Sequence, residues 1–282
     1  MECPYCASTD SARVPYANDE FHFCRSCGVV FKQFSQAKHM QLRTSHYSLT
    51  SWGRDKEASL MKHGPSIKAV LDLIHQRQKL SLTDSYLDIG AGIGVLEHYL
   101  TEMLGTKDIN MSPLEPVAEI ANFLQQDYPK FRVINKDLET FATTSSEKFD
   151  VIFCMGVDYL FRNLTESYQK IAQLGQRRWV FSRNVFLEME AYYASRKIQT
   201  FQDLVAPNRL IGTFMSMAQY LEMMRRFFNI DQAHTLKLEV PKRPPSSILL
   251  IDCSASPQRP ANPIRNPDGA AARLAQLGVP VR

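Results

Sequence analysis

Apolar residues in the middle of the chain follow two rhythms in turn. Ile67, Val70, Leu71 and Ile74 recur at i, i+3, i+4 and i+7, which lines one face of a helix beginning near Pro65. Tyr86–Ile89 is a compact apolar run that ends in a glycine turn, and Val95–Leu104 returns to the helical period. The same alternation predicts strands over 108–111, 131–135, 150–154 and 179–182, and helices over 114–126 and 164–174. Strands separated by helices of this length imply an α/β fold with a parallel sheet covered on both faces. A last strand is expected over 248–252. The following SASPQRPANPIRNPDG is too rich in Pro, Asn and Arg to be expected to fold alone. Residues 32–63 are polar, with Tyr47 and Trp52 as the notable aromatics, and predict a linker with short helices.

Ahead of that linker, Cys3-Pro-Tyr-Cys6 and Cys24-Arg-Ser-Cys27 make a C-x2-C-x17-C-x2-C pattern. Four thiolates about 2.3 Å from an ion satisfy the tetrahedral preference of Zn2+, so the spacing predicts a structural zinc ribbon over 1–34. A redox reading needs only one Cys-x-x-Cys and leaves the second pair unexplained; two reducible disulfides are the other alternative. Cys154 and Cys253 fall in apolar runs and are expected to be buried free thiols.

Composition narrows the class. With 282 residues, 44% of them hydrophobic, the chain can bury a sizeable core plus a small appendage. Six cysteines, four of them in a metal pattern, fit a reducing compartment, and no apolar run approaches the roughly 18 to 20 residues that span a bilayer. A cytoplasmic location is expected. The net charge of +4 is too mild to require a nucleic-acid partner.

The first strand-to-helix turn, YLDIGAGIGVLEHYL, carries the chemistry. Gly90, Gly92 and Gly94 let the backbone approach a ligand at the carboxyl edge of the sheet. A dinucleotide fingerprint would be G-x-G-x-x-G around a phosphate, whereas this run is D-x-G-x-G-x-G and opens with Asp88 inside the strand. A carboxylate suits a cationic cofactor better than a phosphate.

In these residues the chain resembles the class I S-adenosylmethionine-dependent methyltransferases, and the likeness extends over 86–182 through INMSPLEPVAEIA, NKDLETF and FDVIFCMGVDYLF. A four-cysteine knuckle joined to this fold resembles a bacterial group with an N-terminal zinc-binding domain that modifies sugars, polyketides and other natural-product or glycan intermediates. The resemblance implies a Rossmann-like, mostly parallel seven-stranded sheet over 64–253, preceded by a linker over 35–63 and followed by a flexible tail over 254–282. A lid insertion is expected over 183–215.

It also implies the site. S-adenosyl-L-methionine would be held by Asp88, Gly90, Ala91, Gly92 and Gly94, with Asn110 and Met111 (or Asp108) at the ribose, Asp137 and Leu138 at the adenine, and Cys154 and Met155 from the fourth strand. The family commonly has an acid where this reading places Asn110, and often a His at the position of Tyr159. Tyr159, Asp158 and His46 are the candidate catalytic residues, with Tyr47, Arg183, Asn184, Glu188 and Glu190 as further substrate-side groups. Competing roles stay open: Asp88 as a helix cap, Asn110 as a turn residue, Asp137 as a loop charge, Tyr159 as packing and His46 as a solvated side chain. The expected function is methyl transfer to a small molecule, free or linked to a carrier or nucleotide. An rRNA methyltransferase with a zinc knuckle and a non-catalytic scaffold are the alternatives.

Overall fold

The computed structural model describes residues 2–16, 19–32, 37–38, 41, 56–77, 80–183, 212–238, 246–255 and 263–277. Two sheets organise them. A small antiparallel one joins β1 (Ser11–Tyr16), β2 (Asp19–Cys24), β3 (Val30–Lys32) and β8 (Thr213–Phe214). The central one contains β4 (Ser85–Ile89), β5 (Asn110–Leu114), β6 (Phe149–Met155), β7 (Gly175–Arg183), β9 (Phe228–Leu238) and β10 (Ser246–Ala255), in the order β5-β4-β6-β7-β10-β9. Its first four strands run parallel, and β10 and β9 close it antiparallel.

Period-two alternation divides the sheet's side chains between two cores. Tyr86, Val151, Phe153, Val180 and Leu250 share one with Val70 and Ile74 of α1 (Lys56–Arg77), Leu96 and Leu100 of α2 (Val95–Leu104) and Leu124 of α3 (Ala118–Asp127). Leu87, Ile152, Cys154, Phe181 and Ile251 share the other with Phe141 of α4 (Leu138–Thr144), Tyr168 of α5 (Leu164–Leu174) and Met223 of α6 (Met217–Arg225). The α/β, Rossmann-like architecture is therefore as the sequence implies.

The details depart from expectation in four places. Among the described residues the central sheet has six strands rather than seven: the strand expected over 131–135 is a single parallel bridge between Leu114 and Ile134. The chain enters it straight from a turn that stacks Phe131 on Tyr128, ring centroids 4.8 Å apart, which leaves little extended backbone. The second strand lies later than expected, because Ser112 and Pro113 continue β5 instead of starting a helix. Pro113 is tolerated there because β5 is an edge strand, where a missing N–H costs no ladder bond. The first helix begins at Lys56, inside the expected linker, where Lys56 Nζ donates to the Tyr128 hydroxyl at 3.0 Å.

The fourth departure concerns the two ends of the chain. Part of the tail folds as α7 (Pro267–Gln276): Asn266 caps it by accepting from Gly269 N–H, Pro267 occupies the first turn and Leu274 is fully buried. That helix meets the four-cysteine module, since the Asn266 N–H donates to the Cys27 carbonyl at 3.1 Å and a Cβ on Gly28 would lie 2.4 Å from the Asn266 oxygen. The module also packs on the rest of the chain. Val30 and Phe31 pair with Phe214 and Thr213 of β8, and Cys3, Tyr5, Val29 and Phe31 belong to the same apolar core as α5 and α6.

Candidate functional site

The glycine turn leaves β4 at Ile89 and enters α2 at Val95. Gly90, Gly92 and Gly94 have φ of 76°, 58° and 84°, left-handed values at which a side chain is strained. Space forbids one too: a Cβ on Gly90 would come within 2.7 Å of Val157 Cγ1. The turn is tied to the end of β5, where the Leu114 carbonyl accepts from Gly90 N–H at 2.8 Å. Glu115, the next residue, accepts from Gly92 N–H on Oε2 at 3.1 Å and from Val117 N–H on Oε1 at 2.9 Å.

Beside this turn lies a cavity of about 230 Å3. Asp88, Gly90, Ala91 and Gly92 form one wall, Met155, Gly156, Val157 and Tyr159 another, and His63 and Ser66 of α1 face them. Burial raises Asp88 to about 7; the facing Glu97 carboxyl pulls it back down and the Glu115 charge pushes it further up. Glu97 is fully buried and is itself held well above the usual carboxylate range by burial and by the charge of Asp88. Three carboxyls, those of Asp88, Glu97 and Glu115, thus lie under one turn with little access to water.

The structure brings some of the expected residues together and separates others. Asp88, Gly90, Ala91, Gly92, Met155 and Tyr159 line the cavity; Gly94 stands just beyond it as the cap of α2. Asn110 is exposed at the first residue of β5, at the opposite end of the strand from the glycine turn, and Met111 is buried in the α1–α3 core. Asp108 is exposed and paired with Lys130. The carboxylate at the carboxyl end of that strand is Glu115, which the sequence reading passed over by ending the strand too early.

Cys154 lies on the other face of β6 from the cavity, and burial pushes its thiol well up, so it is an inert core group. Asp158 is wholly buried and accepts from the Tyr168 and Tyr220 hydroxyls, with Arg183 Nη1 at 3.7 Å. Asp158 is engaged there as a structural anchor and does not face the cavity, which removes it from the catalytic candidates. Asp137 caps α4 by accepting from Thr140 N–H, and Leu138 is buried behind it. Asn135, two residues before the cap, donates to the Glu115 carbonyl at 2.9 Å, which brings this turn alongside Glu115. His46, Tyr47, Asn184, Glu188, Glu190 and most of the expected lid fall outside the described residues.

The cysteine cluster is assembled. All four sulfurs of Cys3, Cys6, Cys24 and Cys27 lie within 4.8 Å of one another, with Cys3 to Cys27 at 3.7 Å and Cys6 to Cys24 at 3.6 Å. A tetrahedral ion with bonds of about 2.3 Å requires sulfurs about 3.8 Å apart, so the cluster fits zinc; a disulfide needs them near 2 Å. The Cys27 thiol, by donating, lowers Cys3 to about 6, and this same partner raises Cys27.

No family model matches the sequence, and no curated protein does. Solved structures match its fold. Magnesium protoporphyrin IX methyltransferase of Synechocystis, with bound S-adenosylhomocysteine, superposes with a TM-score of 0.55 at 13% identity, over 77% of this chain and 99% of that one. The fold is that of the S-adenosylmethionine-dependent methyltransferases. A plantazolicin methyltransferase, in complex with a triazolic desmethyl analogue and S-adenosylhomocysteine, gives a TM-score of 0.54 at 15% identity over 78% and 96% of the two chains. A chain from the complex of the Haloferax volcanii Trm112 methyltransferase activator gives 0.56 at 14% identity, over 73% and 97%.

Proposed function

We propose that the chain binds S-adenosyl-L-methionine in the glycine-turn cavity and transfers its methyl group to a small molecule. The observation that carries this is the glycine turn: Asp88 lines the cavity beside it, Glu115 holds the Gly92 N–H from the end of β5, and the backbone leaves no room for a Cβ at Gly90. Buried carboxylates suit this cofactor: Glu115 follows the first turn glycines at the interval where α/β nucleotide sites keep a ribose-binding acid. Asp88 would receive the ammonium end, the Gly90–Gly92 backbone the methionine part, and the Asp137–Leu138 turn the adenine. A phosphate would be repelled by the same acids.

When bound, the cofactor supplies an electrophilic methyl on a sulfonium. The chain has to exclude water, align a nucleophile and accept a proton where needed. Tyr159, on the cavity wall just after β6, is the side chain this reading assigns to the acceptor, with His63 and Ser66 on the facing wall. Three residues on, Arg162 lines a second cavity of about 710 Å3 between the four-cysteine module and α5, together with Tyr5, Phe31, Lys32 and Arg226. That cavity is lined by both signs, Glu2 and Glu166 as well as Arg162 and Lys32, with Arg226 paired to Glu222, and in this reading it receives a small acceptor, free or attached to a carrier or nucleotide. Zinc is structural in this reading. Among the described residues no helix is long and apolar enough to cross a membrane, and the free thiols fit a cytoplasmic setting.

Calorimetry with S-adenosylhomocysteine tests the cofactor, and transfer of a labelled methyl into fractions of a cell extract tests the substrate class. Binding in the wild type and none in Gly92→Val is expected. No binding in the wild type overturns the proposal, and label incorporated only into RNA replaces the small molecule by a nucleic acid.

A further inference from the structure

We propose that His63 is the catalytic base of the transfer: its imidazole takes the proton of the acceptor as that group receives the methyl. The inference rests on the cofactor reading above and adds a residue to it. Helix α1 carries His63 and Ser66 to the cavity, opposite Asp88, Gly90 and Tyr159. The helix is built to come this close. Gly64 is buried, and a Cβ there would lie 2.3 Å from the Tyr99 hydroxyl, so the backbone beside His63 is seated directly on α2. Pro65 follows inside the same helix, where it removes the N–H that the Met61 carbonyl would otherwise receive, at a cost of about 3 kcal/mol. The Ser66 hydroxyl donates to the His63 carbonyl at 2.7 Å. A Gly-Pro pair disfavours the middle of a 22-residue helix, and it stands here beside the one imidazole on the cavity wall.

Among the polar side chains of the cavity, His63 has the chemistry for the proton. Asp88 is taken by the cofactor in this reading, and the hydroxyls of Ser66 and Ser182 are not bases at neutral pH. A phenol keeps its proton up to about pH 10, which suits Tyr159 to donating; an imidazole ordinarily titrates near about 6.5, so its neutral form is at hand at pH 7. The titratable groups around His63 come from four elements. Asp88 of β4 and Tyr159 after β6 share the cavity with it, and Tyr99 of α2 lies under Gly64 with its ring edge-on to His98. Behind Asp88, Glu97 of α2 and Glu115 at the end of β5 act on that carboxyl, and Lys56 at the start of α1 acts on Glu97. Further along α1, Lys68 is paired with Asp72. In the step itself the acceptor's lone pair forms the bond to the methyl carbon, and the carbon–sulfur bond breaks with its electron pair left on sulfur. The acceptor's proton passes to a ring nitrogen of His63. The positive charge thus moves from the sulfonium to the imidazolium, which returns its proton to water.

Imidazole resonances of the full chain, followed by NMR between about pH 5.5 and 8.5 with S-adenosylmethionine and then with S-adenosylhomocysteine, test this without turnover. His63→Gln identifies the His63 signal among the seven histidines. A cation close to an imidazole favours its neutral form, so the His63 midpoint is expected about one pH unit lower with the sulfonium than with the neutral thioether. Equal midpoints overturn the inference. His63→Gln keeps a polar side chain that cannot take up a proton: it is expected to bind S-adenosylhomocysteine within about twofold of the wild type and to pass labelled methyl to the acceptor fraction at least about a hundredfold more slowly at pH 7. Transfer at the wild-type rate overturns the inference, as does a matching loss of S-adenosylhomocysteine affinity, which would make His63 a cofactor-binding residue. His63→Asn replaces His63→Gln if the latter does not fold. A wild type that takes up neither ligand overturns the cofactor reading itself, and that failure appears without any substitution.

Discussion

Glu115 is where the cofactor reading is most exposed to refutation. Replacing it with Gln changes one oxygen into an amide nitrogen and removes the charge, with almost no change in volume. A hydrogen bond to a charged group contributes about 1.5–3 kcal/mol. If the carboxylate holds the ribose hydroxyls, the loss of one such bond weakens S-adenosylhomocysteine binding roughly 10- to 100-fold. Glu115 also accepts from Gly92 N–H at 3.1 Å and Val117 N–H at 2.9 Å, and the amide can serve only one of them. The variant is therefore also expected to lose about 1–3 kcal/mol of stability, visible as a lower Tm. A 2′-deoxy analogue of S-adenosylhomocysteine separates the two effects by calorimetry: the wild type should bind it on the order of tenfold more weakly, and Glu115→Gln should discriminate far less. Asn110→Asp, at the exposed far end of β5, should leave both affinities unchanged. Wild-type affinity in Glu115→Gln, or an equal loss in both proteins on removing the hydroxyl, would refute the assignment.

Asp88 titrates near 7 in the fold against about 3.9 unfolded, so the folded chain holds the extra proton and stability falls as pH rises between roughly 4 and 7. Asp88→Asn should remove that part of the decline, giving a higher Tm than wild type at pH 8 in thermal melts, while cofactor binding is lost. Gly90→Ala should reduce cofactor affinity at least tenfold, since its Cβ strains a φ of 76° and meets Val157 at 2.7 Å; unchanged calorimetric affinity would move the site elsewhere. Tyr159→Phe should lower kcat while leaving S-adenosylhomocysteine affinity within about twofold of wild type, and an unchanged kcat would make Tyr159 a packing residue. Metal analysis should find about one zinc per chain, and Cys24→Ser should lose it and lower a single thermal transition; two separate transitions would show that the module folds apart.

Elements whose periodicity was long and unbroken were legible in the sequence. The helices over 95–104 and 164–174 match the structure residue for residue, because each has a full apolar face and a clear stop at Gly105 or Gly175. Local chemistry misled at Ser112-Pro113, a common helix start that here continues an edge strand. That slip carried the acid search to Asn110 instead of Glu115, although Leu114-Glu115-Pro116 follows directly. Glu97 offered no signal at all: a Glu in the first turn of a helix ordinarily faces water and complements the dipole, and only burial distinguishes it. The order of α7 was hidden for a related reason. The Pro- and Asn-rich stretch before it hid a local helix signal, an Asn266-Pro267 cap followed by the good helix formers Ala270–Gln276, and its contact with Cys27 and Gly28 lies more than 230 residues away in the sequence. The four cysteines were legible because metal geometry acts through spacing alone.

The cysteine cluster is coupled to the cavity through backbone bonds rather than by proximity. The Cys27 carbonyl accepts from Gln219 Nε2 at 2.6 Å and from Asn266 N–H at 3.1 Å, which binds the knuckle to α6 and to the start of α7. From β3 the Lys32 N–H donates to the Gly212 carbonyl at 2.8 Å, and the Gly212 N–H donates to the Tyr159 carbonyl at 3.0 Å. Two hydrogen bonds thus lead from the module to the residue on the cavity wall, and neither passes through the glycine turn. Gly212 is fixed in that relay by space as well, since a Cβ there would lie 2.7 Å from the Phe161 carbonyl oxygen. Disordering the cysteine cluster therefore loosens the wall that carries Tyr159 while Asp88, Glu97 and Glu115 keep their own supports on β4, α2 and β5. On the proposed function, a metal held at one end of this relay would act on the wall that carries Tyr159 and leave Asp88 and Glu115 to their own supports.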